Sequence, residues 1–209
     1  AGELYIAGGV EHMTRGPWVI SKTSTAFGRD AQMYDSAFGW RFINPKMEEL
    51  YGVDSMGMTA ENLVEKYNIE REDQDKFACR SQEKVEKAQV NGFFDGEIAP
   101  LTIPQKKKES IIFQKDEFAR ANTSMESLAG LKPAFKKDGS VTAGNSSGLN
   151  DGAAALLIAS ENGIVNHNLK PLARIVSAAV AGVEPGIMGI GPVLASQKAL
   201  ERAGLTLAD

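Results

Sequence analysis

The stretch VTAGNSSGLNDGAAALLIAS, from Val141 to Ser160, decides how this chain is read. Its first half is a turn-rich loop, and its second half, Ala153 to Ser160, is an apolar run of strand length. In Ala143-Gly144-Asn145-Ser146-Ser147-Gly148 the small side chains and two glycines let a ligand approach the main chain. The serines and Asn145 offer hydrogen bonds without bulk. The same composition also suits an ordinary tight turn before a buried strand, and periodicity does not separate the two.

Toward the N-terminus, Leu4-Tyr5-Ile6-Ala7 reads as a short strand ended by Gly8-Gly9. From Glu11 to Gly57 the pattern is irregular but rich in aromatics, which suits an ordered loop better than a linker. Two helices follow. Thr59 is placed to cap the first, with Ala60, Leu63 and Val64 on one face. The spacing predicts the second from Arg71 to Val90, with Phe77, Ser81, Val85 and Ala88 on one side and Asn91-Gly92 closing it. Two short strands, Ile98 to Pro104 and Ser110 to Phe113, flank Lys106-Lys107-Lys108. A short helix begins near Thr123, where Thr123 and Glu126 fit a capping box, and Pro133 limits it. Beyond Ser160, Leu172 to Ala181 is a further apolar, partly β-branched run. Pro192 can start a last helix and Gly204 can end it. Strands and helices alternate at both ends around a loop-and-helix insertion, an α/β pattern interrupted by a subdomain.

The 209 residues are 43% hydrophobic and 24% charged, ordinary for a globular chain with a core. The net charge of −4 argues against a general nucleic-acid binder. One cysteine, Cys79, excludes an intrachain disulfide and a cysteine-based metal cage, and fits a reducing compartment. No apolar run approaches the roughly 20 residues of a membrane span. The chain opens without Met directly into a core-like strand, so it reads as a piece of a longer protein.

Chemistry-bearing residues are sparse. His12 and His167 have no second ligand at metal-site spacing; His167 reads as a surface loop residue, and His12 as packed, solvent-facing or facing a site. Cys79 sits inside an amphipathic helix with no histidine nearby in sequence to lower its pKa, so it reads as a structural thiol. Gly189-Ile190-Gly191-Pro192 lacks the third glycine of a dinucleotide fingerprint, but it feeds a helix N-terminus suited to anionic or carbonyl ligands. The run Lys106 to Lys108 reads as a solvated hairpin tip, with a phosphate-facing role as the alternative.

Four motifs in order, AGGVEHMTRGP (Ala7–Pro17), SMGMTAEN (Ser55–Asn62), LKPAFKKDGSVTAGNSSGLNDGAAA (Leu131–Ala155) and MGIGPVLAS (Met188–Ser196), resemble the thiolases. The resemblance covers almost the whole chain. It implies a thiolase fold fragment of α/β class: the end of an N-terminal βαβ half, an inserted loop domain and the start of a C-terminal half. On that reading residues 1–21 belong to the first half, 22–137 form the loop domain, 138–171 complete the first half and 172–209 begin the second.

Thiolases cleave a 3-ketoacyl-CoA with free CoA, or condense two acyl-CoA molecules, through an acyl-accepting cysteine activated by a histidine. The resemblance implies that these catalytic residues lie outside the 209 residues, so none is assigned here and this chain alone is expected to be inactive. It implies coenzyme A as a substrate, with no permanently bound cofactor and no metal. Arg120 matches the position near the adenine and phosphates, and Ser127 a nearby one that bonds the nucleotide. Phe135, Ala143 and Ser147 match residues along the pantetheine arm, and Met56 and Met188 match positions lining the acyl pocket. Each of these could instead serve only packing. The partners expected are acyl-CoA and CoA, without nucleic acid or membrane, in a cytoplasmic protein whose full-length form is a homodimer or homotetramer.

GWRFINP followed by YGVDSM is similar to family members that cleave 3-oxoadipyl-CoA in aromatic degradation, whereas Gly57-Met58 is similar to fatty-acid thiolases. Arg41 is the candidate cation for an acidic acyl tail. The alternatives are a non-catalytic thiolase-like CoA- or lipid-binding protein, and a fragment without an independent role whose apolar sheet edges favour association.

Overall fold

A computed structural model of the chain describes residues 2–209. The chain divides into two compact units, one of residues 1–63 and 149–209, the other of residues 64–148.

In the first unit, β1 (Leu4–Glu11) pairs antiparallel with β6 (Gly152–Ala159), Leu4 opposite Ala159 and Glu11 opposite Gly152. The expected strand end at Gly8-Gly9 is corrected: both glycines lie inside the ladder. A Cβ on Gly8 would sit 2.5 Å from the Ala154 carbonyl oxygen, so the glycine allows the close approach without ending the strand. At the far end of the ladder Asp151 accepts bonds from the Thr14 hydroxyl at 2.6 Å and the Thr14 N–H at 3.0 Å. Ile6, Val10, Leu156 and Leu157 stay exposed on this two-stranded sheet.

The aromatic-rich segment, expected to be an ordered loop, contains regular elements. β2 (Trp18–Ile20) and β3 (Met33–Asp35) form a small antiparallel pair. A short helix, α1 (Pro45–Tyr51), starts where Asn44 accepts from the Lys46 N–H and Pro45 supplies the preset first turn. α2 (Met56–Tyr67) begins three residues before Thr59. The Ser55 hydroxyl accepts from the Met58 N–H at 3.3 Å, whereas the Thr59 hydroxyl donates back to the Met56 carbonyl inside the helix. After β6, Ser160 caps α5 (Glu161–Asn166) by accepting from the Gly163 N–H. Leu172 to Ala181 forms no strand among the described residues; it runs unpaired, its Ala178 carbonyl taken by Arg202 and its Ser177 hydroxyl donating to Ala199. A 3-10 turn (Pro185–Ile190) leads into α6 (Gly191–Ala203), which starts with Pro192 near its first position and ends on Gly204 at φ +67°, as the sequence implies.

In the second unit α3 (Arg71–Val90) has the expected bounds and ends on Asn91, followed by Gly92 at φ +68°. Its inward face differs from expectation. Asp75 and Cys79 are buried, while Phe77 is exposed with the Arg80 guanidinium 5.4 Å from its ring centre. β4 (Leu101–Gln105) and β5 (Lys108–Phe113) form a hairpin turning at Lys106 and Lys107. α4 (Met125–Ala129) is capped one residue later than predicted, by Ser124 with Ser127 in the reciprocal position. Leu128, Val141 and Cys79 make the apolar core of this unit. No helix among the described residues is long and apolar enough to cross a membrane.

Two expected outcomes test these features. Gly8→Ala should lower the urea midpoint of unfolding by the equivalent of about 1–3 kcal/mol, the usual range for overpacking. Gly9→Ala, with nothing within 4 Å of the new Cβ, should stay within about 0.5 kcal/mol. The Thr14 hydroxyl, then the Thr14 N–H, hold the Asp151 carboxyl below its ordinary pKa of 3.8, with His12 adding to the effect. A depressed folded pKa stabilises the fold fully above 3.8 and loses its effect as pH falls through the lower, folded value. The stability gap between the unsubstituted chain and Asp151→Asn should therefore be constant near neutrality and close only in acid below that value.

Candidate functional site

The second unit is organised by one face of α3. Asp75 is almost fully buried and accepts from Arg71 Nε at 2.8 Å. The same Arg71 donates to the carbonyls of Leu128 at 2.7 Å and Leu131 at 3.2 Å, which takes up the open end of α4. The other Asp75 oxygen accepts from Asn145 Nδ2 at 3.0 Å, and Asn145 Oδ1 accepts from the Thr142 N–H at 2.7 Å. Asn145 also donates to the Ser140 carbonyl at 3.1 Å, and Gln74 donates to the Ser140 hydroxyl at 2.8 Å. Burying a carboxylate costs several kcal/mol unless it is paired and bonded, and here both oxygens have partners.

This frame fixes the loop of Ala143 to Gly148. Asn145 is a structural clamp in that loop, while Ala143 and Ser147 on either side of it are exposed. A Cβ on Gly144 would meet Leu131 and Leu128 at 2.5 and 2.6 Å, and one on Gly148 would meet the Phe118 ring. A side chain at either position would have to push these neighbours aside, so the glycines let the loop lie against them. An isolated bridge between Pro133 and Thr142, with the Ala134 N–H donating to the Val141 carbonyl at 2.9 Å, holds the segments carrying Phe135 and Ala143 side by side.

Arg120 and Ser127 lie together. With Ala119, Ala121, Asn122 and Thr123 they line a cavity of about 430 Å³ that has no carboxylate among its lining residues. The Thr123 hydroxyl and N–H both donate to the Arg120 carbonyl, at 2.8 and 3.1 Å, closing a tight turn. The Ser127 hydroxyl takes part in the cap of α4, accepting from the Ser124 N–H at 3.0 Å and donating to the Ser124 carbonyl at 2.8 Å. Arg120, Ser127, Phe135, Ala143 and Ser147 thus fall in one unit, all of them exposed.

Met56 and Met188 fall in the other unit, both exposed. Asn62 Nδ2 links their surroundings, donating to Asp54 and to the Gly186 carbonyl at 2.8 Å each. Arg41 is exposed and donates to the Gly39 carbonyl at 2.8 Å.

Two family models match the chain, the thiolase N-terminal domain over residues 1–162 and the thiolase C-terminal domain over residues 169–209. The chain belongs to the thiolase family. It is 52% identical to a beta-ketoadipyl-CoA thiolase of Acinetobacter baylyi, covering 99% of the chain and 52% of that protein. It is also 52% identical to the 3-oxoadipyl-CoA/3-oxo-5,6-dehydrosuberyl-CoA thiolase of Escherichia coli, again over 52% of the relative. The chain spans about half the length of the curated relatives it matches. Among solved structures it superposes on human mitochondrial 3-ketoacyl-CoA thiolase in complex with CoA, with a TM-score of 0.83, 43% identity, and coverage of 99% of this chain and 50% of that one. A Bacillus anthracis acetyl-CoA acetyltransferase matches with a TM-score of 0.82, 46% identity, and coverage of 99% and 51%. The fold is therefore the thiolase fold, represented over about half of a reference chain.

Within this thiolase chain Cys79 has the surroundings of a structural thiol. It is buried on α3, with Glu83 Oε1 and the Thr123 carbonyl each 3.7 Å from its sulfur. Burial first, and then the Glu83 carboxylate, push its pKa above the ordinary 9.0, so the thiol stays protonated near neutrality. His167 is exposed at the end of α5, and His12 lies 3.6 Å from Asp151. Among the described residues no cluster of three or more His, Cys, Asp or Glu is placed to hold a metal. Sequence reading missed Asp75 and Arg71 as organisers of this unit, and Gln82, whose Oε1 accepts from the Arg120 N–H. Their polar side chains carry no hydrophobic signal, and only the i, i+4 spacing of Arg71 and Asp75 pointed to a pair.

Removing one partner of the buried pair should be costly. Asp75→Ala is expected to lower the stability of the chain by about 3 kcal/mol, near the lower end of the range for a buried pair because Arg71 is partly exposed. Thermal and urea unfolding followed by circular dichroism measure it. A loss under about 1 kcal/mol would mean that Asp75 does not hold the loop.

Proposed function

We propose that the whole protein is an acyl-CoA C-acyltransferase of degradative thiolase type, and that these residues supply its CoA-binding elements. The observation that carries the proposal is the cavity lined by Arg120 and Ser127, in the same unit as Phe135, Ala143 and Ser147. Arg120 is an exposed, permanently charged fork suited to a phosphate or to stacking on adenine. Phe135 offers an apolar wall, and the small residues at Ala143 and Ser147 leave room for a thin amphipathic arm. Met56 and Met188 would line the acyl site, where flexible thioethers adapt to different chains.

The substrate class we favour is a 3-ketoacyl-CoA with an acidic tail, such as 3-oxoadipyl-CoA. The names of the relatives from Acinetobacter baylyi and Escherichia coli support it, and exposed Arg41 is the cation we assign to the tail. The acyl step requires a thiolate to attack the thioester or ketone carbonyl and a donor set to hold the resulting oxyanion. Cys79, buried, protonated and facing a carboxylate, is unsuited to that attack. We therefore assign the nucleophile and its histidine to sequence outside these 209 residues, with a homodimer or homotetramer as the assembly of the full-length protein.

Two measurements test the reading. In calorimetric titration the chain should bind CoA, and Arg120→Ala should weaken that binding about tenfold or more, the worth of a charge-assisted bond. Absence of CoA binding by the unsubstituted chain would overturn the proposal. In thiolysis assays with acetoacetyl-CoA and 3-oxoadipyl-CoA, a sample of verified intact mass should show no turnover. Turnover abolished by Cys79→Ser would return the nucleophile to this chain.

A further inference from the structure

The lining of the Arg120 cavity comes mainly from a five-residue loop, Ala119 to Thr123, and a loop is only as well placed as its anchors. Within the loop the turn is closed by Thr123 on the Arg120 carbonyl. Its link to a rigid element is the Arg120 N–H, which donates to Oε1 of Gln82 at 2.9 Å. Gln82 lies on α3, 11 residues beyond Arg71, so it extends the face that carries Asp75 and Cys79. It is half-buried and is not among the residues that line the cavity. A second point of approach is the Thr123 carbonyl over the Cys79 sulfur at 3.7 Å, a weak contact by comparison.

The pantetheine-side residues have separate anchors. Ala143 and Ser147 are set by Asn145 on Asp75 and by the packing of Gly144 on Leu128 and Leu131. Neither of those anchors involves Gln82. One helix face therefore carries two sets of supports that share no hydrogen bond, Gln82 for the loop of Arg120 and Asp75 for the loop of Ala143 to Gly148.

Resting on the CoA-binding reading above, we propose that Gln82 is a positioning residue for the nucleotide end of the ligand. It acts through the Arg120 backbone and leaves the pantetheine end untouched. With the N–H of Arg120 held on α3, the start of that side chain is fixed at the cavity wall and the guanidinium has only its own torsions to settle on binding. Without the acceptor, the loop must be ordered each time a nucleotide binds, which weakens affinity for any ligand carrying the adenosine 3′-phosphate and 5′-diphosphate portion.

The test compares the 209-residue chain with Gln82→Met, which keeps length and volume but has no strong acceptor, and with Gln82→Glu, which keeps an acceptor oxygen. Dissociation constants are measured for CoA, adenosine 3′,5′-bisphosphate and pantetheine in about 0.5 M salt, where the added carboxylate charge is screened. Amide exchange at Arg120 is followed in parallel. Gln82→Met should weaken CoA and the bisphosphate by a common factor of about three to ten, the range for one lost hydrogen bond. Pantetheine binding should be unchanged and exchange at Arg120 faster. Gln82→Glu should recover most of the affinity and the protection. Unimpaired nucleotide binding in Gln82→Met would overturn the inference alone, as would an equal loss for pantetheine or a failure of Gln82→Glu to recover. Failure of the unsubstituted chain to bind CoA or the bisphosphate would overturn the CoA reading itself, and this inference with it.

Discussion

The buried carboxylate of Asp75 is the constraint on which the second unit depends. An ionised carboxylate removed from water is unfavourable by several kcal/mol unless its oxygens are bonded. Here one oxygen is held by Arg71 and the other by Asn145. Each partner then fixes something else. Arg71 takes the Leu128 and Leu131 carbonyls at the end of α4, and Asn145 takes the Thr142 N–H and the Ser140 carbonyl. A single charge on α3 thereby sets the end of one helix and the entry to the glycine loop. Such a network gives a defined geometry more than net stability, because an apolar replacement of similar volume often costs nothing. On the CoA-binding proposal, a loop that presents Ala143 and Ser147 at set positions needs that kind of definition.

The same face explains what hydrophobic periodicity reads well and where it misleads. The bounds of α3 follow from a run free of Gly and Pro and from Asn91-Gly92 at its end. Its inward face does not, because Arg71, Asp75 and Gln82 are polar side chains doing interior work. Periodicity selected the stripe through Phe77, and Phe77 is 66% exposed. The cap of α4 shows a related limit. Thr123 and Glu126 match the capping pattern, whereas Ser127, the reciprocal partner of Ser124, is not the Glu or Gln that the pattern asks for. The Thr123 hydroxyl is held by the Arg120 carbonyl, which leaves the cap to Ser124. The pattern alone points to Thr123, and the local turn that bonds its hydroxyl to Arg120, three residues earlier, decides against it.

Strands were legible only where a partner exists. Leu101 to Phe113 contains both strands of its own hairpin, and the reversal at the lysines could be read directly. β1 and β6 lie far apart in sequence, so the depth to which β1 continues past Gly8-Gly9 was not visible until their pairing was known. The sequence of Leu172 to Ala181 is as strand-like as that of β6, yet it forms no ladder among the described residues. Strand propensity describes a fit to a half-buried pleated surface, and without a neighbouring strand it confers no structure.

The site itself divides along the same line. Motif resemblance proposes Arg120, Ser127, Phe135, Ala143 and Ser147, and all five lie exposed in one unit. It did not show how they are held there. Ser127 illustrates the difference. Its hydroxyl accepts from the Ser124 N–H and donates to the Ser124 carbonyl, so its proton is committed to the helix cap. Toward the cavity the oxygen therefore has only acceptor capacity left, which suits a donor such as an adenine amino group or ribose hydroxyl and is unsuited to a phosphate oxygen. Arg120, which can only donate, is complementary to phosphate. The two residues that share the cavity are thus chemically distinct, one fitted to anionic oxygen and the other to N–H or O–H. That distinction follows from how the serine is used in the fold, and residue type alone does not contain it.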